Sequence, residues 1–148
     1  MLAAEAAIRA WINDPATGLL DGQGGGPLAR GAYLRSQRSP ADGAYCVLAT
    51  TWGEEGPVAE PSPALALTRV VFRVYAGTEE AAERAAAALA GAIAGLTGAP
   101  RRCGQTSTWI RGHDQMTGPI FVPAGADSGE QFCFQVSCQL LLADYAAA

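Results

Sequence analysis

The chain has 148 residues, 49% of them hydrophobic and 16% charged, which predicts one folded domain over residues 1–148 and excludes a disordered chain. Its 14 acidic and 10 basic residues leave a net charge of −4, and every base is arginine. An acidic chain without a basic run is poorly suited to gripping nucleic acid, because that affinity depends on cationic contacts. No apolar run reaches the roughly 18 residues of a membrane span and no signal peptide is evident, so we expect a soluble protein made in the cytoplasm with no membrane contact.

The cysteine spacing predicts unpaired thiols rather than a metal site. None of Cys46, Cys103, Cys133 and Cys138 forms a CxxC pair, and His113 is the single histidine, so neither common zinc spacing is present. Cys133 and Cys138 fall on one predicted strand with opposite orientations and cannot bridge each other there. We expect four buried free thiols, no metal and no cofactor.

The first predicted element is an amphipathic helix over residues 2–13. Ile8, Trp11 and Ile12 recur at helical spacing, and Pro15 follows the residues that end the helix. The glycine-rich stretch 21–31 matches neither of the common phosphate-binding patterns and predicts a flexible connection.

Two strands are predicted next, at residues 32–37 and 44–51. The turn between them is rich in proline, aspartate and glycine, so the two strands form either a hairpin or a pair of neighbouring strands. Residues 53–63 are acidic and contain three prolines, which predicts an exposed loop.

Residues 68–98 predict a strand followed at once by a long alanine-rich helix. Alternate positions define two faces of the strand, one with Val70, Phe72 and Val74 and the other with Arg69, Val71, Arg73 and Tyr75. Gly77 breaks the strand, and the hydroxyl of Thr78 is a good cap for the helix N-terminus. The helix presents one apolar stripe to the sheet, formed by Ala81, Ala85, Leu89, Ala92, Ile93 and Leu96. Gly98 and Pro100 are expected to stop it.

The last part of the chain predicts a strand at 105–111, a long turn-rich stretch around the short apolar run 119–123, and a closing strand at 132–142. The closing strand alternates strictly between apolar and mainly polar residues, which is typical of a half-buried antiparallel strand. The order of elements predicts an α+β fold. A small mixed, mainly antiparallel sheet is expected to pack against the N-terminal helix and the alanine-rich helix.

The sequence offers little that indicates catalysis. His113 beside Asp114 is the one arrangement that suggests acid–base chemistry, but adjacent residues of an extended chain point in opposite directions. Neither a nucleophile elbow nor a cysteine nucleophile signature is present, so we predict that the protein is not an enzyme. Arg69 and Arg73 share one face of a strand, which is either solvated surface or an intersubunit ion-pair site.

Four segments carry a resemblance to a known family: AIRAWIN at 7–13, PLARGAYLRSQRSPADGAYCVL at 27–48, VYAGTEEAAERAAAALAGAI at 74–93 and FCFQVSCQLLL at 132–142. Together they resemble the tail terminator proteins of long-tailed, siphovirus-type phages that infect actinobacteria. The resemblance implies a structural virion protein without a catalytic site. It further implies that six copies form a ring that caps the completed tail tube, stops its polymerisation and provides the docking surface for the head connector.

The resemblance also implies partners and a location. The expected partners are further copies of this chain, the major tail tube protein and a head-completion or connector protein, while DNA passes through the lumen without specific binding. The protein is expected at the head-proximal end of the virion tail after assembly in the host cytoplasm.

The candidates for the subunit interface are Arg69, Arg73, Trp109 and Arg111. The candidates for a docking loop are Glu54, Glu55 and Glu60.

Two alternatives stay open. Another neck protein, such as a head-completion or head–tail connector subunit, shares the same small α/β build. A small cytosolic enzyme or ligand-binding module would instead use His113, Asp114 and Trp109 around a cleft. The ring that the protein contacts in a virus particle separates the first alternative from a tail terminator, and the effect of His113→Ala on ligand binding tests the second.

Overall fold

A computed structural model of the chain describes residues 4–17, 19, 32–34, 44–57, 64–97, 99–123 and 132–144. The helices and strands in it are α1 (Ala4–Ile12), β1 (Ala32–Leu34), β2 (Tyr45–Pro57), β3 (Ala64–Ala76), α2 (Glu79–Ala94), β4 (Arg101–Arg102), β5 (Thr108–Val122) and β6 (Phe132–Asp144). A single 3-10 turn, Pro15–Thr17, follows α1. The predicted connection at 21–31 and the predicted turn before β2 lie outside the described residues.

The strands form one sheet in the order β1-β2-β3-β6-β5-β4. β1 runs parallel to β2, and every other neighbouring pair is antiparallel. The predicted α+β fold with a mixed, mainly antiparallel sheet is therefore confirmed. The hairpin alternative for β1 and β2 is wrong, because strands joined by a tight turn must run antiparallel. The two strands are instead parallel neighbours.

Helix α1 lies across the sheet from β2 to the turn before β5. Near its N-terminus the Thr50 hydroxyl donates to Oε1 of Glu5 at 3.1 Å. Near its C-terminus the backbone oxygen of Ala10 is 3.2 Å from the position that a Cβ on Gly104 would take. The helix ends where predicted, with a final 3.2 Å bond from the Asp14 amide to the Trp11 carbonyl oxygen.

The predicted strand–helix unit is present, and its strand is longer than expected. β3 begins at Ala64 and ends before Gly77, and the Oγ1 atom of Thr78 accepts the amide of Ala81 at 3.2 Å as the helix cap. The apolar stripe of α2 is rotated slightly from the prediction, since its fully or nearly fully buried positions are Ala82, Ala85, Ala86, Leu89, Ala90 and Ile93. The helix ends at Ala94, one turn before the predicted stop, and Gly95 closes it.

One apolar core lies between the sheet and the two helices. It contains the buried residues of α1 and α2 together with alternate positions of the strands, among them Leu48, Phe72, Val136, Leu140 and Leu142. Val70, Phe72 and Val74 all face this core, as the alternation of β3 predicts. The opposite face of these strands is the one that lacks either helix among the described residues.

β5 corrects the prediction for the last third of the chain. The stretch from Gly112 to Val122 continues the strand and pairs with β6, instead of forming the predicted turn-rich segment. Three irregularities in register absorb the unfavourable residues. The second and third contain residues with positive φ angles, Gln115 (52°) and Gly118 (106°). Pairing along β6 satisfies the backbone of a segment whose glycine and proline content alone indicates a loop.

Candidate functional site

The sheet face opposite the helices, called the open face below, is the surface on which the predicted arginines lie. Its described positions include Tyr45, Val47 and Ala49 of β2, Arg69, Val71, Arg73 and Tyr75 of β3, Trp109 and Asp114 of β5, and Cys133, Gln135, Ser137, Gln139, Leu141 and Ala143 of β6. Alternation along each strand and the cross-strand register place them on one side. The open face is therefore a continuous surface that spans four strands.

Burial on the open face is uneven. Tyr45 is fully buried and Cys133 and Gln139 are buried, while Val71 and Leu141 are half-buried. Arg69 and Arg73 are exposed. The open face thus combines half-buried apolar side chains with two exposed arginines. Contact surfaces of protein assemblies have a similar composition.

Arg73 is held by its neighbours on the open face. Its Nε atom donates to Oε1 of Gln135, its register partner on β6, at 3.3 Å. Tyr75 stacks on Tyr45, with ring centroids 5.4 Å apart and an interplanar angle of 19°. Burial raises the pKa of Tyr75 and the nearby Cys133 adds to the rise, whereas the Arg73 guanidinium opposes it. The charge of the Arg73 guanidinium therefore influences the ionisation of Tyr75, one ring of the stacked pair.

The structure brings three of the four predicted interface residues to one face. Arg69 and Arg73 lie four positions apart on β3, and Trp109 joins the same face because it pairs with Ala143 of β6. Trp109 is half-buried. Arg111 is exposed and falls at the register shift between Ile110 and Gly112, so it has no partner in the β5–β6 register.

The predicted loop at 53–63 is wrong over residues 53–57, while the docking role of its glutamates stays a prediction. Glu54 and Glu55 belong to strand β2, which extends to Pro57, and are not part of an exposed loop. The register with β3 is lost between Trp52 and Pro57, so the glycines and acids of this stretch continue the strand without regular pairing to β3. Glu60 lies outside the described residues.

The distal half of β5, called the arm below (residues 112–122), exposes apolar side chains that sequence reasoning did not single out. Met116 is 37% exposed, Ile120 51% and Phe121 45%. Phe121 makes an edge contact with Phe134 of β6, with ring centroids 5.5 Å apart. The sequence signal for these side chains is the apolar run between two prolines at 119–123, whose flanking glycines and prolines favour a turn. Exposed large apolar residues grouped together are typical of contact sites.

The residues proposed for a catalytic cleft do not converge. His113 pairs with Leu140 and so faces the helix side, whereas Asp114 pairs with Gln139 and lies on the open face with Trp109. The Nδ1 atom of His113 is buried and has no hydrogen-bond partner among the described residues. The same holds for Oγ1 of Thr68, which flanks Leu140 from the other side.

A groove of about 300 Å³ lies elsewhere, between the ends of both helices and β4. Its lining includes Trp11, Asp14, Leu96, Arg101 and Arg102. The Arg102 guanidinium donates through Nε to the backbone oxygen of the residue at 106 at 2.7 Å, which orients that side chain along the turn. Within the described ranges, no three histidine, cysteine, aspartate or glutamate residues group closely enough to hold a metal ion.

The four cysteines are free and buried, as predicted. Cys138 belongs to the core and Cys133 lies on the open face, which confirms that they point to opposite sides of β6. Burial raises the pKa of Cys103 and of Cys138 to about 12. It also raises the pKa values of Cys46 and Cys133.

Comparisons with protein-family models, with curated proteins and with solved structures find no significant match to this chain. Neither helix in the described part of the chain has the length and hydropathy that a membrane-spanning helix requires. The class of protein that the described residues define is an α+β fold with both helices on one face of a six-stranded sheet.

Proposed function

We propose that this chain is a structural virion protein, a tail terminator whose ring caps the completed tail tube of a long-tailed phage. The observation that carries the proposal is the open face, on which the exposed Arg69 and Arg73 lie beside half-buried apolar side chains. Among the described residues both helices lie on one side of the sheet, and the exposed part of the other side is the surface that we assign to a protein neighbour. The family resemblance of the sequence supplies the identity of that neighbour.

Arginine is well suited to such a contact. Its planar guanidinium forms paired hydrogen bonds with carboxylates and stacks on aromatic rings, and arginine is enriched at protein interfaces. The hydrogen bond from Arg73 to Gln135 holds the side chain on the sheet before any partner arrives. A side chain held in this way loses less conformational entropy when a contact forms. Arg73 is therefore the residue of the open face that we expect to contribute most.

The proposed partners follow from the position of such a ring. One surface would meet the major tail tube protein and stop its polymerisation, and the other would dock the head-completion or connector protein. The net charge of −4 disfavours retention of DNA that passes through the lumen. In this proposal the protein is located at the head-proximal end of the tail.

A tube-capping assay tests the proposal. Purified tail tube protein of the same phage is polymerised with and without this chain, and tube lengths and tube ends are measured by electron microscopy. Wild-type protein should shorten the tubes and form a ring at one end. Arg73→Glu should reduce capping at least about tenfold, because reversal of a charge places like charges together at the contact.

The matched control is Arg84→Glu, which makes the same charge change at an exposed position of α2. It should cap tubes as the wild type does. Circular dichroism and thermal unfolding of both variants should match the wild type, since exposed surface substitutions usually change stability by no more than about 0.5 kcal/mol. Wild-type protein that never associates with tubes would contradict the proposal, and its appearance on a head connector instead would favour another neck protein.

A further inference from the structure

The groove of about 300 Å³ beside the ends of the two helices has an apolar base. Its apolar lining consists of Trp11 of α1, Ala92 of α2 and Leu96 just after α2, called the groove floor below. Trp11 is 5% exposed and Leu96 6%, and Ala92 is half-buried. The volume lies at the lower end of the range of small-molecule sites. The groove floor can therefore receive one small apolar group.

Arg101 supplies a cation beside the groove floor. It pairs with Ile110, whose side chain belongs to the core, so alternation places Arg101 on the helix side of the sheet. Its side chain is exposed and makes no hydrogen bond or ion pair to another described residue. The neighbouring Arg102 differs, because its Nε atom donates to the backbone oxygen of Thr106 at 2.7 Å. Arg101 is therefore the arginine of the groove that is available to a ligand.

The other polar side chains of the groove lining are engaged by the turn that follows α1. Oδ1 of Asp14 accepts the amide of Ala16 at 3.0 Å. The Thr17 hydroxyl lies 3.1 Å from the backbone oxygen of Ile12 and 2.8 Å from that of Asp14, and donates toward them. These bonds hold the turn in place and leave Arg101 as the polar anchor of the site.

The charges around the groove favour a ligand with a single negative charge. Arg101, Arg102 and Asp14 give the lining a net charge of +1. The C-terminus of α2 also borders the groove and carries partial negative charge, with no basic residue in the last turn of the helix. A dianion such as a phosphate ester would be repelled by Asp14 and by this helix end. One carboxylate balances the lining and matches the paired donors of a guanidinium.

We propose that the groove binds a small free monocarboxylic acid with an apolar body. The carboxylate pairs with the guanidinium of Arg101, and the apolar body covers the groove floor. Because Trp11 and Leu96 are almost completely buried, the opening above them is narrow, which suits a small molecule better than a protein surface. The site lies on the helix side of the sheet, apart from the open face, and does not depend on the proposed function.

Paired probes test the inference. Binding of phenylacetate and of its neutral analogue phenylacetamide to the full chain is measured by isothermal titration calorimetry at low ionic strength. Phenylacetamide should bind at least about fivefold more weakly, because it lacks the charge-assisted pair with Arg101. Arg101→Gln should weaken phenylacetate binding by at least about fivefold and leave phenylacetamide binding within about twofold of the wild type, since only the charged probe uses the guanidinium.

Two further variants complete the test. Arg84→Gln makes the same charge change at an exposed position of α2 outside the groove lining, and it should bind both probes as the wild type does. Ala92→Leu places a larger side chain on the groove floor and should weaken both probes by at least about fivefold, because it occupies the space of the apolar body. Thermal unfolding checks that each variant is folded, and Arg101→Gln decides the outcome if Ala92→Leu is not.

Four results would overturn the inference. The first is equal binding of phenylacetate and phenylacetamide to the wild type. The second is an Arg101→Gln variant with lower stability but unchanged phenylacetate binding, which would assign Arg101 to the C-terminus of α2 alone. The third is tighter binding of phenyl phosphate than of phenylacetate. The fourth is binding of a tripeptide that ends in phenylalanine at least about tenfold more tightly than phenylacetate, which would assign the groove to the C-terminus of another chain.

Discussion

Burial is the main reason that the four thiols stay protonated at neutral pH. Burial raises the pKa of Cys103 and Cys138 to about 12, from a reference value of 9.0. For Cys133, burial also raises the pKa, although Tyr75 and Arg73 partly oppose the rise. A thiolate is the reactive form of cysteine, so these residues act as small apolar side chains at neutral pH.

The raised thiol pKa values predict a loss of stability in alkali. Each folded pKa lies above the reference value of 9.0, so the folded state binds more protons than the unfolded state once the pH exceeds that value. The thiol contribution is fully present below about pH 8 and falls above pH ~9, by up to about 1.4 kcal/mol per thiol and pH unit. Urea unfolding at a series of pH values measures the slope.

Cys138→Ala provides the comparison for this slope. The substitution lowers stability at every pH because it changes a buried side chain, but it should also make the alkaline slope shallower. An unchanged slope would show that the pKa of Cys138 is the same in the folded and unfolded states, which contradicts the rise expected from its burial.

Single residues of the candidate site were partly predictable from the sequence. Alternation along β3 places Arg69 and Arg73 together on the face away from the core, and the structure confirms this. The arm residues Ile120 and Phe121 were not predicted. Their exposure depends on a strand that local composition does not indicate.

At the scale of elements, the predictions succeeded where local chemistry and tertiary pairing agree. β6 and the β3–α2 unit have clear alternation, a capping threonine and a helical apolar stripe. β5 was predicted too short because its glycines and prolines favour turns, whereas its length depends on partners in β6. The parallel pairing of β1 with β2 likewise depends on contacts distant in sequence, which local turn signals do not report.

Gly118→Ala tests the extended form of β5. A Cβ at this position would overlap the backbone oxygen of Gln135, and the φ of 106° is one that residues with side chains rarely adopt. We therefore expect a loss of stability of about 2–4 kcal/mol, measured by chemical denaturation.

Gly112→Ala in the same strand is the matched control. A Cβ there meets no heavy atom within 4 Å. Because alanine restricts the unfolded chain more than glycine does, its effect should be neutral or stabilising by up to about 1 kcal/mol. Equal effects of the two substitutions would contradict the pairing of the distal half of β5 with β6.

At the scale of the whole molecule, the arrangement of surfaces matters more than any single group. Both described helices pack on one face of the sheet, and the other face carries Arg69 and Arg73. The sequence predicted the α+β class and the layer arrangement. It did not predict that β6 lies between β3 and β5. That order depends on pairing between strands far apart in the sequence, which local patterns do not report.

The mass of the assembled protein is the most direct test of the ring that this account proposes. Native mass spectrometry of the wild-type chain, alone and bound to short tail tubes, should give a closed species of six subunits, each of 15.2 kDa. The same measurement on Arg73→Glu should shift the population toward the single subunit. A wild-type chain that has only the subunit mass at every concentration, with or without tubes, would contradict the account.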